Sequence, residues 1–373
     1  MVYDVAIVGG GLGGLTLSIQ LRKLGYSVIL FEKEVFPFNK MCGEYISMES
    51  YDYLQRLGLN LDALNLPKIT QLQISSPSGK KIHSSLDLGG FGIRRYTLDF
   101  LLSKIAIANG VSLQQGERVL EMDEVDDVFV LRSANNNYSA RITIGAYGKR
   151  SNLDRKFGRL PLVRRSTKNY VAVKYHVYVD HPSNVIGLHT FQGGYCGISK
   201  VDDDIYCLCY LIDADFLKAS NNDIKQMERD YLRKNPVLEI YFSSAKFINT
   251  EPITISQLTF QKKSTSKNNF LFVGDAAGSI VPCFGNGMSM AMHAANDLSG
   301  LLDKYFRTEL SLQDVIEQYN SIWDESNKSR IQLGEVLQQQ FAHKNRSELL
   351  IRFLSLFPFL MHLVIKKSHG KPF

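Results

Sequence analysis

The sequence predicts an α/β protein: a parallel sheet with helices, an inserted antiparallel β-rich domain and C-terminal helices. Three observations predict it. A strand, a glycine-rich turn, a helix and a second strand fill residues 3–34. Strands without intervening helices follow Arg159. A buried strand and a long helical stretch return after Asn268.

The opening "DVAIVG" is a nearly continuous apolar run, as a strand buried on both faces of a parallel sheet requires. A helix follows from about Gly11 to Leu24, with Arg22 and Lys23 in its last turn and Gly25 ending it. "SVILFE" is the second strand. Ser47 is an N-cap for a helix in "MESYDYLQRL", which Gly58 stops. "ITQLQISSPSGKKIHSSLDL" reads as a hairpin turning at Ser78-Gly79. "YTLDFLLSKIAIANG" is an amphipathic helix, and strands follow in "VSLQQGERVLEMDE", "VFVLRS" and "ARITIGAYG". The next strands, "YVAVKYHVYV", "VIGLHTF", "YCGISKV" and "IYCLCYLI", read as an antiparallel sheet. "NNFLFVGDAAGSI" restores a buried strand and turn, "NGMSMAMHAANDLSGLL" is a helix, and the remainder is helical. The expected organisation is a discontinuous nucleotide-binding domain (1–68, 95–160 and 265–310), a β-rich substrate domain (69–94 and 161–264) and a helical region (311–373).

Composition bounds the function. The 373 residues are 45% apolar and 21% charged, ordinary for a soluble globular protein. The net charge of +6 is spread without a Lys/Arg run, which argues against nucleic acid as a partner. The five cysteines form neither a CxxC pair nor an even framework, which points to reduced thiols and a cytoplasmic location. No signal peptide is visible. Leu349 to Ile365 is the only apolar stretch with membrane character. Arg352, Pro358 and His362 break it, and it falls short of the ~20 apolar residues of a spanning helix. With Lys366, Lys367 and Lys371 at its edge, it reads as helix packing or as peripheral contact with anionic lipid. No Cys/His cluster or HExxH spacing points to a metal.

The strongest local signal is Gly9-Gly10-Gly11-Leu12-Gly13-Gly14 between a strand and a helix. Gly9 permits the tight turn, Gly11 lets the backbone approach a pyrophosphate, and Gly14 lets the helix pack closely on the strand. Leu12 and Gly13 share that turn. Glu32, about 20 residues on, suits ribose hydroxyls, with Lys33 beside it. The motif alone does not separate FAD from NAD. "FPFNKMCGEYIS" then places Cys42 in a loop after the second strand. A thiol there either donates a proton or simply fills space. Lys40 and Glu44 read as an ion pair or a solvated loop edge. Along "YVAVKYHVYV", Lys174 and His176 fall on the face opposite the valines, and either line a substrate chamber or face solvent.

Four ordered segments resemble the FAD-dependent family of para-hydroxybenzoate hydroxylase-type monooxygenases, halogenases and geranylgeranyl reductases. They are the glycine fingerprint with Glu32, "RRYTLDFLL", "GAYGKRSNLDR" and "FVGDAAGSIVPCFGNGMSMAMHAA". The resemblance implies a Rossmann-type FAD-binding domain, with Arg95 near the cofactor's phosphates or ribose and Gly148 near its pyrophosphate. It implies Gly274 and Asp275 at the ribityl chain, and Pro282, Gly285, Asn286, Gly287 and Met288 beside the flavin ring. It also implies that Cys42 reaches the flavin, as in the geranylgeranyl reductase-like members. Two positions depart from it: Tyr147 stands where the family has aspartate, and Gly278 where it often has histidine. The first weakens the expectation of NAD(P)H as reductant. A tryptophan-rich halogenase signature is absent, since Trp323 is the only tryptophan. The leading expectation is NAD(P)H-linked monooxygenation of an apolar aromatic or polyene-like substrate. Reduction of C=C bonds in a lipid-like substrate is the alternative, and a non-catalytic flavin-binding module the second. Cys42, His176 and Lys174 are the catalytic candidates.

Overall fold

The computed structural model describes residues 1–159, 168–258, 260, 263–278 and 285–373. The chain begins β1 (Val2–Val8), α1 (Leu12–Lys23), β2 (Val28–Glu32), β3 (Tyr45–Ser47), α2 (Tyr51–Leu57), β4 (Lys68–Ser75), β5 (Lys81–Gly92), α3 (Arg95–Ala108) and β6 (Ser112–Gln115). It continues through β7 (Glu121–Val125), β8 (Val128–Arg132), β9 (Asn137–Gly145), α4 (Asn152–Lys156), β10 (Tyr170–Tyr178), β11 (Val185–Phe191), β12 (Gly194–Asp202) and β13 (Ile205–Asp213). After α5 (Ala214–Ala219), α6 (Ile224–Asp230) and α7 (Pro236–Ser244) come the strands β14 (Lys246–Phe247), β15 (Ile253–Leu258), β16 (Ser266–Lys267) and β17 (Phe270–Phe272). The helices α8 (Gly287–Phe306), α9 (Leu312–Phe341), α10 (Lys344–Leu356) and α11 (Pro358–Ser368) follow.

Among the described residues these strands make two sheets. The first runs β16-β17-β9-β1-β2-β6, with β7 and β8 attached through β9, and its central pairs are parallel. Val5, Ala6, Ile7, Ile29 and Leu30 are buried, as the unbroken apolar runs of both strands require. The chain leaves β1 toward β2 and β6 on one side, and β9 pairs on the other. The carboxyl ends of β1 and β9 therefore flank a topological switch point, where open α/β sheets hold ligands.

The second sheet runs β14-β10-β13-β12-β11-β4-β5-β3, with β15 also on β10. It is antiparallel except for the β11–β4 pair. One face carries Val171, Val173, Tyr175 and Val177 and is covered by α6 and α7 through Met227, Leu238 and Tyr241. The other carries Tyr170, Ala172 and Leu211 and meets Phe341, Ile351, Met361 and Ile365 of α9–α11. The sequence reading missed α5–α7, because three short helices of six to nine residues give little periodicity to read. It also missed β3: Ser47 ends that strand and caps a 3₁₀ turn, Met48–Ser50, before α2 begins. No single described helix is long and apolar enough to cross a membrane, and α10 and α11 meet at a 109° bend.

Candidate active site: a dinucleotide cradle under a clamped loop

Gly9 follows β1 with φ +118°, and a Cβ there would sit 2.3 Å from the Ala146 carbonyl oxygen at the end of β9. A Cβ on Gly14 would lie 2.0 Å from the Gly9 oxygen, so the start of α1 is pressed onto the turn. At Gly11 a Cβ would meet nothing within 4 Å. Gly11 is the N-cap of α1, with no side-chain cap and no acid in the first turn. The turn therefore presents free N–H groups and the positive end of a helix to open space, which is the chemistry a pyrophosphate needs. Glu32, buried at the end of β2, accepts from the Gly10 N–H at 3.0 Å and the Glu34 N–H at 3.1 Å. A carboxylate keeps lone pairs for a ribose beyond these two bonds.

A cavity of about 1830 Å³ opens on this cradle. Gly9, Gly11, Leu12, Gly13, Glu32, Lys33, Cys42, Arg95, Gly148, Gly274, Asp275, Gly285, Gly287 and Met288 all line it. Among the described residues no partner is bonded to the Asp275 carboxylate. Pro282 lies outside the described residues. Gly14 packs behind the turn and does not line the cavity. Neither does Asn286, whose buried amide donates to the Ser368 carbonyl. The donors, the open backbone at Gly11 and the volume of the cleft fit FAD.

The loop from Lys33 to Glu44 closes over the cradle and is fastened twice. Lys40 lies 3.0 Å from Asp99 and 3.7 Å from Glu32, and it donates to the Gly10 carbonyl at 3.0 Å. Arg95 grips Asp99 with two bonds of 2.7 Å. Burial alone would raise the Asp99 pKa, but Arg95 and Lys40 outweigh it and hold the carboxyl below its ordinary range. Lys40 therefore pairs with Asp99 and Glu32 rather than with Glu44.

Glu44 is the second fastening. It is fully buried with φ +59°. Its Oε1 accepts from Lys174 Nζ at 2.6 Å and from the Arg95 N–H at 2.9 Å, and its Oε2 lies 2.6 Å from His176 Nε2. Lys174 also donates to the Lys40 carbonyl, Cys207 Sγ to that of Cys42, and Ser199 to that of Gly43. Strands β10, β12 and β13 thus hold the loop from behind. Burial would raise the Glu44 pKa, yet the His176 bond and the Lys174 charge bring it below 4.5. Lys174 is the mirror case: burial would lower its pKa, and Cys207 and Glu44 raise it.

Lys174 and His176 do not line the cavity; they are spent on Glu44. This corrects the placement expected for them as catalytic groups and makes them positioning residues. Against the sequence expectation, Glu44, His176 and Cys207 do come together, their ligand atoms lying within 4.8 Å of one another. The Lys174 ammonium already supplies the cation there, and a metal ion would have to displace it.

Cys42 does line the cavity. Its Sγ is 3.5 Å from Met288 Sδ and accepts from the Glu44 N–H at 3.4 Å. Across the cleft, Tyr147 donates to Asp154 at 2.8 Å and accepts from Arg159 at 3.0 Å; Lys263 completes the buried group at 2.8 Å from Asp154. Tyr147 is therefore part of a buried group of one carboxylate and two cations, and its own hydroxyl is spent within it. Sequence reasoning missed Tyr45, which lines the cavity with a buried hydroxyl lacking any hydrogen-bond partner among the described residues. It also read Glu44 as an ion pair with Lys40 or a loop edge, since its actual partners lie 130 and 132 positions away.

The chain is similar to known proteins in sequence and in fold. A family model described as "FAD binding domain" matches residues 2–322. The conditioned medium factor receptor 1 of Dictyostelium discoideum is 26% identical over 353 residues, 86% of this chain and 67% of that protein. A digeranylgeranylglycerophospholipid reductase of Methanosarcina acetivorans is 23% identical over 93% of this chain and 87% of its own. Among solved structures, the flavin-dependent brominase Bmp2 superposes with a TM-score of 0.81 at 18% identity, covering 99% of this chain and 93% of that one. The flavin-dependent halogenase CmlS is longer, and the chain spans 63% of it. Glycine cradle, switch-point cleft and family match agree: the chain belongs to the FAD binding domain family of flavin-dependent enzymes.

Proposed function

We propose that the protein is an FAD-dependent monooxygenase that hydroxylates an aromatic ring carrying a long apolar chain. The observation that carries this reading is the shape and lining of the cavity. Its volume of about 1830 Å³ is above the ~300–1,000 Å³ of ordinary ligand pockets. Beyond Cys42 and Tyr45 it continues between apolar walls that include Leu72, Leu211, Phe341, Leu354, Met361 and Ile365. The second sheet and the C-terminal helices are assigned to the substrate. The unpartnered Tyr45 hydroxyl is a polar handle for the ring's own hydroxyl, since a buried donor without a partner gains most from meeting one. When bound and reduced, FAD supplies two electrons, which either activate O₂ or pass as hydride to an alkene carbon. We assign NAD(P)H as the donor. Ring–H, O₂, NAD(P)H and a proton then give ring–OH, water and NAD(P)⁺. The apolar chamber keeps bulk water out while the chain fixes the ring.

A second reading is reduction of a C=C bond in a lipid-like substrate. It is favoured by the Cys42 thiol on the cavity wall, placed to give a proton to the carbon that does not receive hydride. The reductase named among the relatives supports it. The likeness to brominases carries the fold alone. Turnover of alkylphenols of graded chain length under ¹⁸O₂ decides between the readings. Monooxygenation gives one labelled oxygen per NAD(P)H consumed, a kcat/KM that rises with chain length, and no product without O₂. Anaerobic product formation from a polyene assigns the reductase. No electron transfer from any donor to the bound flavin leaves a flavin-binding module.

A further inference from the structure

Helices α10 and α11 have two apolar sides. Leu350, Leu354, Met361 and Ile365 form part of the cavity lining. On the outer side, Leu349, Phe353 and Leu356 recur at i, i+4 and i+7 of α10, and Phe359 and Leu363 at i and i+4 of α11. Leu349 is 71% exposed, Leu356 72% and Phe359 62%, with Phe353, Phe357 and Leu363 between 41% and 48%. Single exposed leucines need no explanation, whereas a contiguous set on one bent helix pair does. Around it basic charge predominates, the acids being Glu348, which pairs with Arg352 at 3.0 Å, and Asp87 of β5, 3.2 Å from His362. Residues 344–373 hold Lys344, Arg346, Arg352, Lys366, Lys367 and Lys371, all exposed, and Glu348 is their only acid.

We propose that α10 and α11 form a docking element for an anionic lipid bilayer, with the aromatic and leucine side chains in the acyl boundary and the basic residues among the headgroups. A second copy of the chain is the poorer occupant. A two-fold contact would set each basic rim against its twin, whereas anionic headgroups complement it. The docking is independent of the reaction proposed above. Because the same two helices line the cavity, it also brings the cavity's apolar end to the membrane surface.

The test is co-sedimentation of the FAD-loaded full chain with vesicles of phosphatidylcholine alone and of phosphatidylcholine with phosphatidylglycerol. Binding is expected only to the second and is expected to fall with salt. The double variant Leu356→Asp/Phe359→Asp should lower vesicle affinity ~10-fold or more, because it places two charges where apolar contact is required. Lys366→Glu/Lys367→Glu should abolish the preference for phosphatidylglycerol. Flavin content and light scattering report folding and oligomeric state throughout. No binding of the wild type to anionic vesicles overturns the proposal, as does binding unchanged in both flavin-loaded variants. A dimer that Leu356→Asp/Phe359→Asp converts to monomer overturns it in favour of a second copy.

Discussion

Gly11 and Gly14 stand three positions apart in one motif, yet substitution should separate them. A side chain at Gly11 meets no protein atom, whereas one at Gly14 meets the Gly9 carbonyl at 2.0 Å. Gly11→Val should therefore fold with a normal Tm for the FAD-free protein and purify largely colourless, read from the ratio of flavin to protein absorbance. Gly14→Val should fail to fold. Glu44 is the other decisive residue. Glu44→Ala strands the Lys174 ammonium in the interior and should cost about 3–5 kcal/mol in denaturant unfolding. Adding Lys174→Met should recover part of that loss, so the two changes will not be additive. The Glu44 carboxyl titrates below its ordinary 4.5 in the folded chain. Its contribution is complete above pH 4.5 and is lost as pH falls further, through the depressed folded-state value. Tm measured across that acid range should fall more steeply in the wild type than in Glu44→Gln.

At the scale of elements, the loop from Lys33 to Glu44 joins the two chemistries of the cleft. Lys40 ties it to Asp99, Glu32 and the glycine turn at once. Lys40→Met should leave the sheets intact and raise the FAD dissociation constant ~10-fold, the loss of a partly buried charge-assisted contact. Cys42→Ala and Cys42→Ser should both retain FAD, because the loop's fastenings lie on either side of Cys42; altered product ratio or coupling of electron donor to product is the expected readout. Much of this was legible in the sequence. The apolar runs of β1 and β2, the glycine turn and the "GD" after β17 are local patterns, and local patterns report local structure. Lys174 and His176 were legible as polar residues on an apolar strand, but their purpose was not. That depends on a carboxylate from a loop 130 positions earlier. Helices α5–α7 were illegible for a different reason: each is too short to build a stripe.

At the scale of the whole molecule, neither sheet makes the cleft alone. The first supplies the cradle, the second supplies the clamp on Glu44, and α9–α11 supply the apolar end of the cavity. A chain that had emerged from the ribosome only as far as β9 would carry every residue of the glycine fingerprint. It would lack Lys174, His176 and Cys207 behind the loop, as well as Asp275 at the far side of the cleft. Glu44 would lack both Lys174 and His176, and the loop would keep only the fastening through Lys40 and the Arg95 N–H. The expected outcome is that cofactor capture comes late in the biosynthesis of this protein. Stalled chains ending before β10 should pull down no flavin, and flavin should first be retained once α8 has cleared the exit tunnel. In a cell short of riboflavin, this order would leave the nearly finished chain as the species exposed to proteases.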